Sequence, residues 1–311
     1  MLKLRVRAQL GNQMFQYAAM RTIAERRGLC LAWEEGLSLP DWLRRRLGRK
    51  TMTRPVDIPK YFTIDGDSRL RNCAHRTIWR WRYGTRPNQY TSRYMEIAPG
   101  FHTEAFDPDI ETIAEGTEIV AWLQSPRYFA GNEDAVRRWF RLRPRWQRRV
   151  DQLEKQLPST PDGRCGIHVR RTDFAFADPG DPVNGWMLPL SYYQDAVASL
   201  PKDLLYVIVS DAPDWVEQHF GFLGHRFVSR GESGAVDMAL LGRCRFNIIA
   251  NSTFSWWGAW LNTQQDKVVI CPEFFNGWKY RRWVPDEIRV DGWTYLPVRA
   301  PVPSPQTAAT P

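Results

Sequence analysis

From Leu2 to Arg7 the chain alternates apolar and polar residues (Leu2-Lys3-Leu4-Arg5-Val6-Arg7), the period-two pattern of a strand with one buried face. Leu10-Gly11-Asn12-Gln13 then opens a helix that runs to about Arg27, with Gly28 as its C-terminal cap and a short strand over 29–33. The chain thus begins β-turn-α-β. Between residues 35 and 116 no dependable period emerges, and Pro, Gly, Arg and Trp dominate. A strand returns at 118–123, followed by basic helical sequence over 133–157 that breaks at Pro144. The run Pro158-Ser159-Thr160-Pro161-Asp162-Gly163 reads as a linker, which divides the chain into 1–158 and 159–299.

Beyond the linker the punctuation is regular. Strands are predicted at 165–169, 204–209, 226–228, 246–250 and 267–271. Helices are predicted at 190–200, 213–220, 236–244 and from Trp256, the second carrying Pro213 in its first turn. Strands and helices alternating at this spacing form a parallel, doubly wound α/β sheet. The architecture expected is two α/β units flanking a cleft, with 300–311, rich in Pro and Ala, as a disordered tail. Ligands of open α/β sheets sit outside the carboxyl ends of the strands. Gly11-Asn12, His168 to Asp173, Ser210-Asp211 and Asn251 to Ser255 all fall at such ends, which points to a nucleotide-type ligand.

Composition narrows the partners. The 311 residues carry a net charge of +9, and only 7 of the 43 basic residues are Lys. Arg grips phosphate and carboxylate as a planar fork, so this surface favours anionic partners, although a bias in Arg usage gives the same count. The 5 cysteines (Cys30, Cys73, Cys165, Cys244, Cys271) are scattered, without a CxxC pair or a Cys/His cluster, which suggests neither a disulfide frame nor zinc and suits a reducing cytoplasm. No stretch reaches the roughly 20 apolar residues that span a bilayer, and the N-terminus lacks the apolar core of a signal peptide.

Side chains alternate along a strand, so His168 and Arg170 share one face and Arg171 opposes them. One Arg is then free to grip a pyrophosphate while the other pairs with a carboxylate such as Asp173; a purely structural Arg–Asp pair is the alternative. Asn251-Ser252-Thr253-Phe254 opens a helix whose hydroxyls and free amides form an anion site, with Ser255 or Thr253 as a plain N-cap instead. Trp256 and Trp260, four apart, read as core. The Gly11-Asn12-Gln13 turn brings backbone towards a diphosphate but lacks GxGxxG. Asp237 begins a helix, where it complements the dipole or accepts two hydrogen bonds from a guanine edge. Asp65-Gly66-Asp67 and Asp107-Pro108-Asp109 have a spacing that could hold Mg²⁺ or Mn²⁺, yet Asp, Gly and Pro are ordinary turn residues. Without a metal, a departing phosphate needs a cation, and Arg170 is placed for it.

Together these residues resemble glycosyltransferase family 11, the α-1,2-fucosyltransferases. Leu10-Gly-Asn-Gln-Met-Phe-Gln-Tyr-Ala18 is similar to the family's N-terminal signature, and His168-Val-Arg-Arg-Thr-Asp173 to its HxRRxD motif. Ile208-Val-Ser-Asp211 resembles the second motif; Asp237-Met238 with Ile249-Ala-Asn-Ser-Thr-Phe-Ser-Trp-Trp-Gly-Ala-Trp-Leu261 resembles the third. The likeness runs from about residue 4 to 278 and departs where Ala8-Gln9 stands in place of a usual Gly pair.

The resemblance implies a GT-B-like fold of two Rossmann-type domains facing a cleft, with 1–158 on the acceptor side and 159–299 binding GDP-fucose. It further implies GDP-β-L-fucose as donor, inversion, no metal or other cofactor, and O2 of a terminal β-galactoside in an O-antigen or surface glycan as acceptor. It assigns the donor phosphates to Arg170, Ser252, Thr253 and Phe254, the ribose or guanine to His168, and the guanine to Asp237. Gly11, Asn12, Gln13, Arg171, Asp211 and Asn251 complete the expected substrate contacts. Asp173 is the catalytic-base candidate beside Asp178, with a role as an Arg partner left open. A bacterial cytoplasmic enzyme is implied, with peripheral contact to anionic membrane or a lipid-linked glycan as an option for the Arg-rich stretches. Arg and aromatic residues interleave at 76–93 and 137–149, but no RRM, KH or zinc pattern accompanies them, so no nucleic-acid partner is expected. Trp79, Trp81 and Tyr83 either face the acceptor or belong to the core.

Overall fold

The structure is a computed structural model, and it describes residues 1–33, 56–64, 69–84, 88–92, 94–98, 101–172, 186–275 and 287–299. Asp65-Gly66-Asp67, Asp173, Asp178 and the tail 300–311 lie outside them. The chain divides into two compact units, one formed by Met1–Leu153 with Gly234–Val236 and Asp286–Val290, the other by Glu154–Ser233, Asp237–Pro285 and Asp291–Pro311.

In the first unit β1 (Leu2–Leu4) leads through a short loop into α1 (Leu10–Arg26), which ends where Gly28 takes a φ of 63°, and β2 (Leu31–Trp33) follows. The irregular stretch of the sequence contains α2 (Ile58–Tyr61), α3 (Arg69–Tyr83), β3 (Gln89–Thr91) and an antiparallel pair, β4 (Tyr94–Ala98) with β5 (Phe101–Glu104). After β6 (Glu118–Val120) come α4 (Glu133–Trp139) and α5 (Pro144–Gln156), separated at Pro144 as its missing N–H requires. The sheet runs β2-β1-β6-β3, all parallel. α1 is buried along most of its length: Phe15, Tyr17 and Met20 are fully enclosed, and Tyr17 meets Trp33 edge-on at 5.9 Å.

The second unit contains β7 (Arg164–Val169), α6 (Leu190–Ala198), β8 (Leu205–Ser210), α7 (Pro213–His219), β9 (His225–Val228), α8 (Gly234–Leu241), β10 (Phe246–Ile248), α9 (Thr253–Leu261), β11 (Val268–Pro272) and β12 (Thr294–Leu296). All six strands are parallel in the order β12-β11-β10-β7-β8-β9. Counted from β7 this is 3-2-1-4-5-6, the Rossmann order, whose direction reverses between β7 and β10. The final strand was not predicted from the sequence, because Thr294-Tyr295-Leu296 is too short to show a period.

β7 shows how the pleat sorts its residues. Cys165, Ile167 and Val169 enter the core shared with Tyr192 and Tyr193 of α6 and Val216 of α7. Gly166 faces the other way, where a Cβ would stand 2.8 Å from Asn247 Nδ2 and 3.1 Å from Leu241 Cδ2. Only glycine lets α8 close on the strand there. His168 lies on that same face and lands beside Phe254 of α9.

Candidate functional site

The mouth of the second sheet is built around the reversal between β7 and β10. His168 is 2% exposed, its ring 5.1 Å from that of Phe254, and its carbonyl accepts the Tyr193 hydroxyl at 3.3 Å. Burial pushes the Tyr193 hydroxyl well up, so it stays a donor. The end of β7 and the start of α9 therefore share one mouth.

Beyond β7 the two arginines part as the alternation predicts. The Arg171 guanidinium lies over the Trp215 ring, 3.6 Å from its centroid, and Trp215 stacks in turn on His219. Arg170 turns to the end of β8, where its Nε is 3.4 Å from Asp211 Oδ2. The same carboxylate accepts the Arg171 amide at 2.9 Å, the Thr172 amide at 3.1 Å and the Thr172 hydroxyl at 2.6 Å. Asp211, expected as a substrate contact, thus organises the loop that carries the arginines.

Opposite, Ser252 is the N-cap of α9: its hydroxyl accepts the Phe254 amide at 3.3 Å. This corrects the expectation of Ser255 or Thr253 in that role. Ser255 is buried and donates back to the carbonyls of Ala250 and Ser252, both at 3.2 Å. No acidic residue stands in the first turn, so the positive end of the helix is not neutralised from within. Asn251 is 1% exposed and donates to the Trp186 carbonyl at 2.9 Å, while its buried Oδ1 has no hydrogen-bond partner among the described residues. An unmet buried acceptor costs free energy and calls for a donor. Trp256 and Trp260 stack at 5.9 Å and are core, as expected.

Asp237 sits in the first turn of α8. Its carboxylate accepts the Ser229 hydroxyl at 2.6 Å, and burial pushes it up to about 6. The nearby Glu232 pushes in the same direction, while the Ser229 hydrogen bond opposes.

In the first unit, Gly11-Asn12-Gln13 forms the opening turn of α1, at the carboxyl end of β1. Gln13 is 1% exposed; it donates to the Ala8 carbonyl at 2.9 Å and accepts the Asp57 amide at 2.8 Å. Gln16 accepts the Arg7 amide at 2.8 Å. These two side chains pin the loop between β1 and α1 to its own helix. Asn12 instead accepts Gln124 Nε2 at 2.8 Å from beyond β6, where Arg7 lies 4.9 Å over the Trp122 ring. The Glu104 carboxylate holds that segment by accepting the amides of Trp122 at 2.9 Å and Gln124 at 3.3 Å. Trp122, Gln124, Glu104, Trp215 and Ser229 went unnoticed in the sequence; each is brought in by strand neighbours distant in the chain.

Asp107 is 2% exposed and caps a short 3-10 turn, accepting the Asp109 amide at 3.1 Å and the Tyr90 hydroxyl at 2.7 Å. The Asp107 carboxylate thus makes the ordinary turn contact that Asp-Pro-Asp sequence offers. Among the described residues no group of three or more His, Cys, Asp or Glu stands close enough to hold an ion, all five cysteines are free, and no helix is long and apolar enough to cross a membrane.

A Rossmann-ordered parallel sheet with an arginine-bearing loop facing a helix N-terminus across its reversal defines an α/β protein with an anion-binding mouth. The sequence model of glycosyl transferase family 11 matches residues 122–297, more than half of the chain, and the protein belongs to that family. It is a glycosyltransferase of GT-B-like fold. The chain is 27% identical over 288 residues to an α-1,2-colitosyltransferase of Escherichia coli, covering 86% of this chain and 90% of that one. It is 34% identical over 140 residues to the O-antigen biosynthesis glycosyltransferase WbnK of E. coli, a match spanning 42% of this chain and less than half, 43%, of WbnK. Over 111 residues it is 32% identical to the galactoside 2-α-L-fucosyltransferase SEC1 of Bos taurus, across 33% of this chain and 30% of that one. A crystal structure of POFUT1 in complex with GDP superposes with a TM-score of 0.55 at 10% identity, covering 87% of this chain and 97% of that one, which shows a common fold.

Proposed function

We propose that the protein transfers L-fucose from GDP-β-L-fucose to O2 of a terminal β-galactoside in a surface glycan such as an O-antigen, inverting the anomeric centre in one displacement. The observation that carries this reading is the approach of His168 to Phe254 at 5.1 Å, which joins the Arg170 strand end to the Ser252-Thr253 helix end in one mouth. In this reading the donor diphosphate lies against the α9 amides and the Ser252 and Thr253 hydroxyls, with Arg170 meeting the charge that develops as the anomeric C–O bond breaks. Its electron pair leaves with GDP, and the acceptor oxygen bonds to the opposite face of the carbon. The acceptor proton passes to a carboxylate, Asp173 or Asp178. Asp237 accepts the guanine N–H groups, which a carboxylate does best, while His168 lies by the ribose. The reading uses cationic side chains where other transferases use a divalent ion, and takes no cofactor.

Support comes from the galactoside 2-α-L-fucosyltransferase and the O-antigen transferase among the relatives. The relative matched over 86% of the chain is a colitosyltransferase, which favours a second reading with a colitosyl donor on the same 1,2 linkage. Calorimetric titration with GDP and GDP-fucose, with and without EDTA, followed by transfer assays on β-galactosides with fucosyl and colitosyl donors, separates these. Absence of GDP binding, or turnover abolished by EDTA and restored by a divalent ion, overturns the proposal.

A further inference from the structure

Helix α3 has two faces with different tasks. Its inward stripe fastens it to the sheet: Asn72 accepts the Trp33 amide at 3.0 Å and donates to the Trp33 carbonyl at 2.9 Å, and His75 Nδ1 lies 3.1 Å from the Leu31 carbonyl. Trp79 packs on Met1 and Ala32, with Lys3 Nζ 4.7 Å from the centre of its ring. That attachment makes no use of the opposite side. There Ala74, Ile78 and Trp81, spaced four and three residues apart, form a single exposed stripe.

Ile78 is 47% exposed and Trp81 86%; among the described residues the only other large apolar side chain so exposed is Phe222. The helix carries Arg69, Arg71, Arg76, Arg80 and Arg82 and no acidic residue. By helical geometry Arg71 and Arg82 flank the stripe on the Ile78 side; on the other side the exposed Thr77 and Cys73 lie between Trp81 and Arg80, and Arg76 borders Asn72 on the attached face. Among the described residues none of Arg76, Arg80 and Arg82 makes an ion pair within 4.0 Å. A helix solvated on its outer face puts charge at the crest. This one puts Ile78 and Trp81 there beside an uncharged Thr77, with Arg71 and Arg82 on one shoulder and Arg80 on the other, the arrangement of a helix lying in the headgroup layer of a bilayer.

We propose that the outer face of α3 docks the protein on a bilayer surface of anionic phospholipid. Ile78 and Trp81 enter the boundary between headgroups and acyl chains, where an indole sits well, and the arginines fork onto headgroup phosphates. A second copy of the chain is the wrong occupant, because a two-fold contact would set the same arginines against each other. A nucleic acid offers phosphates to the arginines and a base to Trp81, but gives Ala74 and Ile78 nothing to bury against. The proposal is independent of which sugar the enzyme transfers.

The test is co-sedimentation of the full chain with vesicles of phosphatidylglycerol and phosphatidylethanolamine, against phosphatidylcholine alone, at low and high salt. Binding to the anionic vesicles that weakens with salt is expected. Each basic residue at such a surface contributes about 1 kcal/mol, so Arg80→Gln with Arg82→Gln weakens binding about 25-fold. Ile78→Ser with Trp81→Ser weakens it roughly tenfold or more through lost apolar burial. The arginine pair keeps wild-type transfer to a free, soluble acceptor, and circular dichroism with thermal melts reports that both sets of variants fold. No binding to anionic vesicles, or equal binding by every variant, overturns the proposal. Oligonucleotide binding that drops with the arginine pair, in a chain that ignores vesicles, would assign the face to nucleic acid instead.

Discussion

Asp211 Oδ2 lies 3.4 Å from Arg170 Nε, joining the ends of two adjacent strands, and the same carboxylate accepts both main-chain amides of the segment that follows Arg170. Arg170 is thus aimed from the neighbouring strand. Asp211→Asn keeps the size of the side chain but replaces one acceptor oxygen by an NH₂ group that faces the Thr172 donors. Breaking this cradle is expected to cost about 1–3 kcal/mol in stability by denaturant titration. Transfer should fall by roughly tenfold or more in kcat, with acceptor KM little changed, because the loop and not the acceptor contact is lost. Equal kcat in the folded variant would separate Asp211 from the arginine's task.

Arg170→Lys tests the guanidinium itself. A lysine retains the charge but not the fork, and it cannot hold Asp211 and a phosphate oxygen together in one plane. Losing one preorganised donor to a developing anion typically lowers rate about 100–1,000-fold, and steady-state kcat of the variant is expected in that range. Turnover like the wild type would remove Arg170 from the departing phosphate.

Ala8 stands where the family usually carries glycine, and it takes a φ of 66°. A side chain in the left-handed region costs about 1–2 kcal/mol, held here by Gln13, which donates to the Ala8 carbonyl at 2.9 Å. Ala8→Gly relieves that cost while loosening the unfolded chain, so a net gain of up to about 1 kcal/mol is expected in thermal unfolding. A loss of stability would show that the methyl group is packed to advantage.

Much of the second unit was legible because each strand end there announces itself by an apolar run stopping at polar residues. That His168 and Arg171 oppose each other follows from alternation alone, and Arg171 on Trp215 against His168 on Phe254 bears it out. Which hydroxyl caps α9 was not legible: Ser252, Thr253 and Ser255 crowd the helix start, and the choice depends on where β10 ends. The Asp211 partnership spans about 40 residues and becomes visible only once β7 and β8 are known to be neighbours. Helix α3 hid for a different reason. Its inward positions include Asn72 and His75, which bond to main chain, and its outward positions include Ile78 and Trp81, so the usual contrast between faces is blurred.

Asp237 offers a prediction in which stability and binding move in opposite directions. Burial raises its carboxyl from the ordinary 3.8 to about 6. Between those values the folded chain holds a proton that the unfolded chain releases, so this group's contribution to stability is full below about pH 4 and is lost as pH rises through about 6. At pH 7 the buried charge costs on the order of 2–3 kcal/mol. Asp237→Asn removes the charge, so its melting temperature should exceed that of the wild type at pH 7 and converge with it near pH 4. Guanine recognition under the proposed function needs the ionised carboxylate, whose partner would be the N–H edge of the base. GDP affinity of the wild type should therefore fall about tenfold per pH unit below 6, while the variant binds weakly at every pH. Calorimetric titration and thermal melts on the same samples check both halves. A variant that is more stable and binds GDP as well as the wild type would leave the guanine to another residue; one that is less stable at pH 7 would show that the carboxylate is held by more than the Ser229 hydroxyl.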